Sequence, residues 1–231
     1  MRSLGSLSLL LLLLLMAGSG CTRIYLPGGF DMTPTATMPA SIVEPEQTVA
    51  IAANYSGGYN YNESNTSTEL SYTFGDGGGW YRFAAKGFLY AGSYRIDGTY
   101  RDISGSQAYF GIGGLGDANV AIPMGKVTLG IGATLGGMTE VGPYTRLYID
   151  SGEVRAWPLV TGYWLLTITP NKDSQIDLQA GVGIPGALYG TASYFYDRWG
   201  GTIGFGPGDD NDHGTVPAIG RFTLGLSYRV K

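Results

Sequence analysis

Arg221-Phe222-Thr223-Leu224-Gly225-Leu226-Ser227-Tyr228-Arg229-Val230 alternates without a break. Phe222, Leu224, Leu226, Tyr228 and Val230 fall on one side of an extended chain, and Arg221, Thr223, Gly225, Ser227 and Arg229 on the other. Successive side chains of a β-strand point to opposite faces, so this period of two predicts a strand with one wholly apolar face.

The same pattern recurs upstream between clusters of Gly, Asn, Asp and Pro, the punctuation of antiparallel strands. Lys126 to Met138 sets Val127, Leu129, Ile131, Ala133 and Leu135 against Thr128, Gly130, Gly132, Thr134 and Gly136. Ser174 to Ile184 sets Ile176, Leu178, Ala180, Val182 and Ile184 against Asp177, Gln179, Gly181 and Gly183. Val49, Ile51, Ala53 and Tyr55 alternate from Gln47 onward, and Leu70, Tyr72 and Phe74 face away from Glu69, Ser71 and Thr73. In Tyr81 to Ile96 the apolar residues change sides near Phe83 to Phe88, which predicts a bulge or an irregular start there. Ser106 to Leu115 and Pro158 to Thr169 bring the expected number of strands to eight.

Which face meets what decides the class. A soluble sandwich or lipocalin has a bulky inner face and a charged outer one. Here one face is bulky and the other is mostly Gly, Ser and Thr. An eight-stranded barrel has room inside for small side chains plus a few large ones, while its outer belt meets lipid. The expected fold is therefore all-β, an antiparallel up-and-down transmembrane β-barrel of about eight strands. Glu69, Asp177, Arg221 and Arg229 lie on the small-residue face and are expected to line the lumen, where they could pair across it. Lys86 fits neither face from the pattern. A cation on the lipid side near the midplane would cost about 2–4 kcal/mol.

Composition agrees. The chain has 39 Gly and 17 Tyr, only 14% charged residues, and a formal charge of −4. Abundant Gly and Tyr suit a tight lumen and aromatic girdles at two membrane interfaces. Tyr55, Tyr59, Tyr72, Tyr109, Trp157, Tyr163, Tyr194, Tyr196 and Tyr228 are assigned to such girdles. The acidic balance, with no basic stripe, argues against nucleic-acid binding.

Upstream of the strands, Met1-Arg2, a leucine-rich run from Leu7 to Met16 and Ala17-Gly18-Ser19-Gly20 follow the order of a signal peptide over residues 1–20. The apolar run is too short to span a bilayer, which takes about 20 residues. Ser19-Gly20-Cys21 resembles the lipobox of bacterial lipoproteins, with Gly18 where that family usually carries Leu. The resemblance implies lipid attachment at Cys21, the only cysteine, so no intramolecular disulfide can form. Thr22 is not the Asp that retains many such lipoproteins in the inner membrane, which points outward. Residues 21–46, with Pro27, Pro34, Pro39 and Pro45, read as an extended tether, and residues 47–231 as the barrel domain.

The last strand also resembles the C-terminal signal of outer-membrane barrels, with a polar residue, a glycine two later, an aromatic and a final apolar residue. The resemblance implies that Thr223, Gly225, Tyr228 and Val230 dock the strand on the outer-membrane assembly machinery. The domain as a whole resembles the small OmpA/OmpX/OmpW type of barrel, which implies a bacterial outer membrane and contact with its lipids and lipopolysaccharide. With the N-terminus in the periplasm, the connections 57–65, 97–105, 139–157 and 189–220 face outward, and 75–79, 116–125 and 170–173 face inward.

For function, a non-enzymatic structural or surface-display role is expected first, a narrow conduit second, and a lipid-modifying enzyme last. The only histidine, His213, lies in the acidic stretch 208–214, away from any strand, so no catalytic set is assigned. Asp209, Asp210 and Asp212 lack the spacing of a calcium loop. No metal and no cofactor are expected.

Overall fold

The computed structural model describes residues 46–57, 63–78, 80–100, 102–147, 156–184, 187–206 and 221–230. Cys21, the segment before Glu46, Tyr59 and the stretch holding His213 lie outside them. The strands are β1 (Glu46–Gly57), β2 (Ser64–Gly78), β3 (Tyr81–Tyr100), β4 (Ile103–Met124), β5 (Val127–Val141), β6 (Ala156–Asn171), β7 (Ser174–Ile184), β8 (Ala187–Tyr196), β9 (Trp199–Gly206) and β10 (Arg221–Val230). Each pairs antiparallel with its neighbours in sequence, and β1 pairs with β10, closing a ten-stranded up-and-down barrel. Closure removes the exposed edges that an open sheet would present.

Two strands beyond the expected eight come from residues 189–220, assigned above to one outward connection. β8 and β9 occupy most of its first half, joined by the turn Asp197-Arg198. β9 has only eight residues, and Gly201 breaks its outward row of Trp199, Ile203 and Phe205, while in β8 the contrast between faces is weak. In β8 the outward side carries Gly190 and Ala192 and the inward side Tyr189 and Phe195, so bulk no longer marks the face. Residues 116–124, assigned to an inward turn, instead extend β4 to Met124, and only Gly125-Lys126 turn. Most of the expected connection 97–105 is likewise strand.

No bulge occurs between Phe83 and Phe88. β3 runs regularly there with Phe83 outside, 56% exposed, and Phe88 inside, 4% exposed. The irregularity lies at Ile96/Thr99, beside the turn that closes on β4. What changes is the content of the faces, since this stretch of β3 places large apolar rings on both.

The two ends differ. At one, β2–β3, β4–β5, β6–β7 and β8–β9 are joined by two residues each: 79–80, 125–126, 172–173 and 197–198. Left-handed backbone at Gly125 (φ 69°) and Asp197 (φ 50°) allows two of these tight reversals, Gly because it lacks Cβ and Asp because its short side chain tolerates the region. The other end carries 58–63, 142–155 and 207–220, with shorter connections at 101–102 and 185–186. β1 begins and β10 ends at the short-turn end.

Candidate functional site

The barrel's polarity is inverted relative to a soluble protein. Val49, Ile51, Leu70, Leu89, Ile112, Val120, Leu129, Ile131, Leu135, Val160, Leu178, Val182, Ile203, Leu224 and Leu226 are all exposed on the outside. The buried Thr, Ser, Asn, Glu, Asp, Arg and Lys side chains of the strands are inside. Ten residues of β10, at about 3.4 Å each and tilted by about 40°, rise roughly 26 Å, close to the height of a transmembrane barrel's apolar band. Trp80, Tyr81, Tyr194, Tyr196 and Trp199 lie outside near the short turns, and Tyr55, Phe205 and Phe222 sit in one cross-strand row toward the other end. Three members of the expected girdle are not there: Tyr109, Tyr163 and Trp157 turn into the barrel.

Ten strands about 4.8 Å apart and tilted by about 40° close a backbone ring roughly 20 Å across, wide enough to need filling. Aromatic rings fill much of it, each laid over a glycine directly opposite on the adjoining strand. The pairs are Phe88 with Gly113, Tyr90 with Gly111, Tyr109 with Gly92, Tyr163 with Gly132, Tyr189 with Gly181, and Phe195 with Gly200. At each glycine a β-carbon would run into the ring. These six inner-face glycines thus form the beds of the rings. An inward aromatic beside a bare backbone is a known way to stabilise glycine in a sheet.

At the long-loop end the filling is densest. After β5, Gly142 adopts φ 134°, and a side chain there would strike the Ala108 carbonyl and Tyr109 Cα. The chain turns inward across β4 into a short 3-10 helix, Tyr144–Leu147. The Thr145 amide and hydroxyl both donate to the Gly142 carbonyl, at 3.2 and 2.5 Å. Tyr144 is thereby buried to 1% exposure, stacked on Tyr94 at 4.7 Å between centroids and tilted against Tyr109 at 5.6 Å. The phenols find acceptors: Tyr109 donates to Asn65 Oδ1 at 2.5 Å, Tyr94 to Glu63 Oε2 at 3.2 Å, and Tyr90 to the Thr139 carbonyl at 3.3 Å. Phe88, Ile96, Leu115, Met138 and Leu159 complete this cluster.

Below it lie the charges. Lys86 Nζ is 2.5 Å from Glu69 Oε1, with side-chain exposures of 0% and 3%, and stands 5.5 Å from the Phe88 ring centroid. The Tyr163 hydroxyl donates its one proton between the two Asp117 carboxylate oxygens, at 2.8 and 2.7 Å, and Asn119 donates to Oδ1 at 3.2 Å. Asp177 accepts from Thr167 and Gln175, each at 2.6 Å, and lies within electrostatic reach of Arg82. Arg229 donates to Gln175 Oε1 at 3.1 Å and lies 4.2 Å over the Phe195 ring. Along the same wall Thr223 donates to Asn54 Oδ1 at 2.8 Å, and Ser193 and Thr202 share a hydrogen bond.

Glu69, Asp177 and Arg229 are therefore inside, each with a local partner. Arg221 stands in register with Gly206 at the long-loop end of β10. Of the four residues of the C-terminal motif, Thr223 and Gly225 point inward, Tyr228 packs edge-on against Trp199 at 5.0 Å, and Val230 is exposed. Lys86 and the inward tyrosines are what pattern reading missed. They share strand parity with the small-residue face, so parity carried the signal and residue size hid it. Among the described residues no group of three His, Cys, Asp or Glu side chains is placed to hold a metal ion.

A closed antiparallel barrel with an apolar outside and a packed polar and aromatic inside is a transmembrane β-barrel. No protein-family model matches the chain, and no curated protein matches it. Solved structures that it resembles include Neisserial surface protein A, at 12% identity over 81% of this chain and 96% of that one, with a TM-score of 0.39. The translocator domain of the autotransporter NalP from Neisseria meningitidis is similar at 10% identity over 84% and 90%, TM-score 0.41. Ail, the attachment invasion locus protein of Yersinia pestis, is similar at 13% identity over 81% and 100%, TM-score 0.29.

Proposed function

We propose that this chain is a bacterial outer-membrane barrel with a closed lumen, a membrane-embedded scaffold that carries its long-loop end to the cell surface rather than a conduit or an enzyme. The observation that carries this reading is the interior: Lys86, Glu69, Tyr90 and Tyr144 are buried within the barrel, with ring-on-glycine pairs around them. The long connections all share one end, as surface loops do in barrels of this class, which supports a periplasmic N-terminus. Lipid at Cys21 would then add a second attachment in the inner leaflet, and the last strand, through Thr223, Gly225, Tyr228 and Val230, would be the segment that the assembly machinery receives. Lipids and lipopolysaccharide around the apolar belt complete its partners.

Planar-bilayer recording tests the closed lumen. The purified full chain is expected to give no stable unitary conductance in 1 M salt. Reproducible ion-selective steps that disappear on Glu69→Gln or Lys86→Met substitution would overturn it in favour of a conduit.

A further inference from the structure

We propose that the outer face of β7 to β10 holds an anionic phospholipid, with an acyl chain in a groove beside Gly201 and the phosphate at Arg198. This rests on reading the apolar outer face as embedded in lipid. Most of that face is bulky, but here it is dented. Gly201 faces outward, and the place where its side chain would stand meets no atom within 4 Å. Ala192 on β8 is the other small outward residue beside it. The result is a groove of about 460 Å³ walled by Ile176, Ala192, Tyr194, Ile203 and Leu224, with Gly201 and the chain at the inward-facing Ser193, Thr202 and Gly225 also lining it. Its open side faces the lipid, so a methylene chain is the occupant of matching chemistry. A well-packed chain recovers the dispersion contacts that such a dent forfeits.

What turns a dent into a lipid site is the cation above it. The β8–β9 turn, Asp197-Arg198, caps the groove at the short-turn end, three residues or about 10 Å from Gly201 along β9. Arg198 is exposed. Its Nη1 donates to the Tyr228 hydroxyl at 3.2 Å, Tyr228 is braced edge-on by Trp199, and the Arg198 carbonyl accepts the Arg229 amide at 2.8 Å. A neutral phenol thus orients the guanidinium at the rim without neutralising it. Asp197, its neighbour in the turn, is the carboxylate whose charge acts on it. The remaining guanidinium N–H groups are directed by the same fork, whose geometry suits two phosphate oxygens. Phosphate at Arg198 and the first methylenes beside Gly201 fit one molecule lying along β9, with Tyr194 and Trp199 at its flank.

Charge selects the headgroup. One basic residue at a membrane surface favours an anionic over a zwitterionic lipid by about fivefold. The test is native mass spectrometry of the detergent-released full chain, titrated with phosphatidylglycerol and with phosphatidylethanolamine of identical acyl chains. The wild type is expected to retain one phosphatidylglycerol in preference to phosphatidylethanolamine. Arg198→Gln should weaken phosphatidylglycerol retention about fivefold and erase the preference. Gly201→Leu, which fills the groove, should lower retention of both lipids. Ala192→Leu fills it from β8 and serves if Gly201→Leu does not fold, as judged by heat-modifiable migration.

Equal retention in wild type and variants would overturn the site. So would wild-type dimers that Gly201→Leu dissociates without any lipid signal, since a second copy would then be the occupant. Channel activity would sink the closed lumen and leave this site standing, whereas a chain that does not partition into membranes would sink the lipid-facing reading itself.

Discussion

Replacing Lys86 by Met separates a packed lumen from a wet one. Its ammonium lies 2.5 Å from Glu69 Oε1, and both side chains are almost wholly screened from water. An ion pair in contact with water is worth about 0–1 kcal/mol, because solvent takes over from the missing partner. Removing one partner of a dry pair leaves an uncompensated charge and costs about 3–5 kcal/mol. At about 1.4 kcal/mol per decade, Lys86→Met should shift the unfolding equilibrium by two to three and a half orders of magnitude. The double variant Glu69→Leu/Lys86→Met has no orphaned charge and should return to within about 1–2 kcal/mol of the wild type, or exceed it. The assay is urea unfolding of barrels refolded into lipid vesicles, followed by the heat-modifiable gel band and by tryptophan emission, with the denaturant slope checked for constancy. A single-variant cost under 1 kcal/mol, with costs that simply add in the double variant, would mean that water reaches Glu69 and Lys86. The packed interior would then be refuted at its centre.

Three further outcomes follow from the same geometry. Tyr144→Ala removes a ring stacked on Tyr94 and should cost about 3–5 kcal/mol in the same titration. Gly132→Val places branched carbon under the Tyr163 ring and should cost about 1–3 kcal/mol, and a further Tyr163→Ala change should recover part of that loss. Leu70→Lys, at a position 52% exposed near the middle of β2, should cost about 2–4 kcal/mol in a bilayer, against about 0–1 for Trp80→Lys at the rim.

Alternation made most of the barrel legible. In β1, β2, β5, β7 and β10 most outward residues are bulky and most inward ones small or polar, Met138 of β5 being an inward exception, so each face can be read along a single strand. β8 was not legible because its faces trade contents, Tyr189 and Phe195 pointing in while Gly190 and Ala192 point out, and β9 because it is short and Gly201 breaks its outward row of Trp199, Ile203 and Phe205. The same exchange hides the regular course of β3 through Phe83 and Phe88, and sends Tyr109, Trp157 and Tyr163 inside when composition alone assigns them to the girdles.

The sequence by itself determined the strand period, the apolar outer belt and the inward parity of Glu69, Asp177 and Arg229, because a period of two is a property of one extended segment. Tertiary structure decided which ring lies on which glycine, that Lys86 reaches Glu69, and that Gly142 turns Tyr144 into the mouth. Those facts depend on register between strands and on closure of β1 against β10, residues about 170 positions apart, as Asn54 and Thr223 are. Period is local, whereas register is fixed only when the closed barrel must fill its own interior.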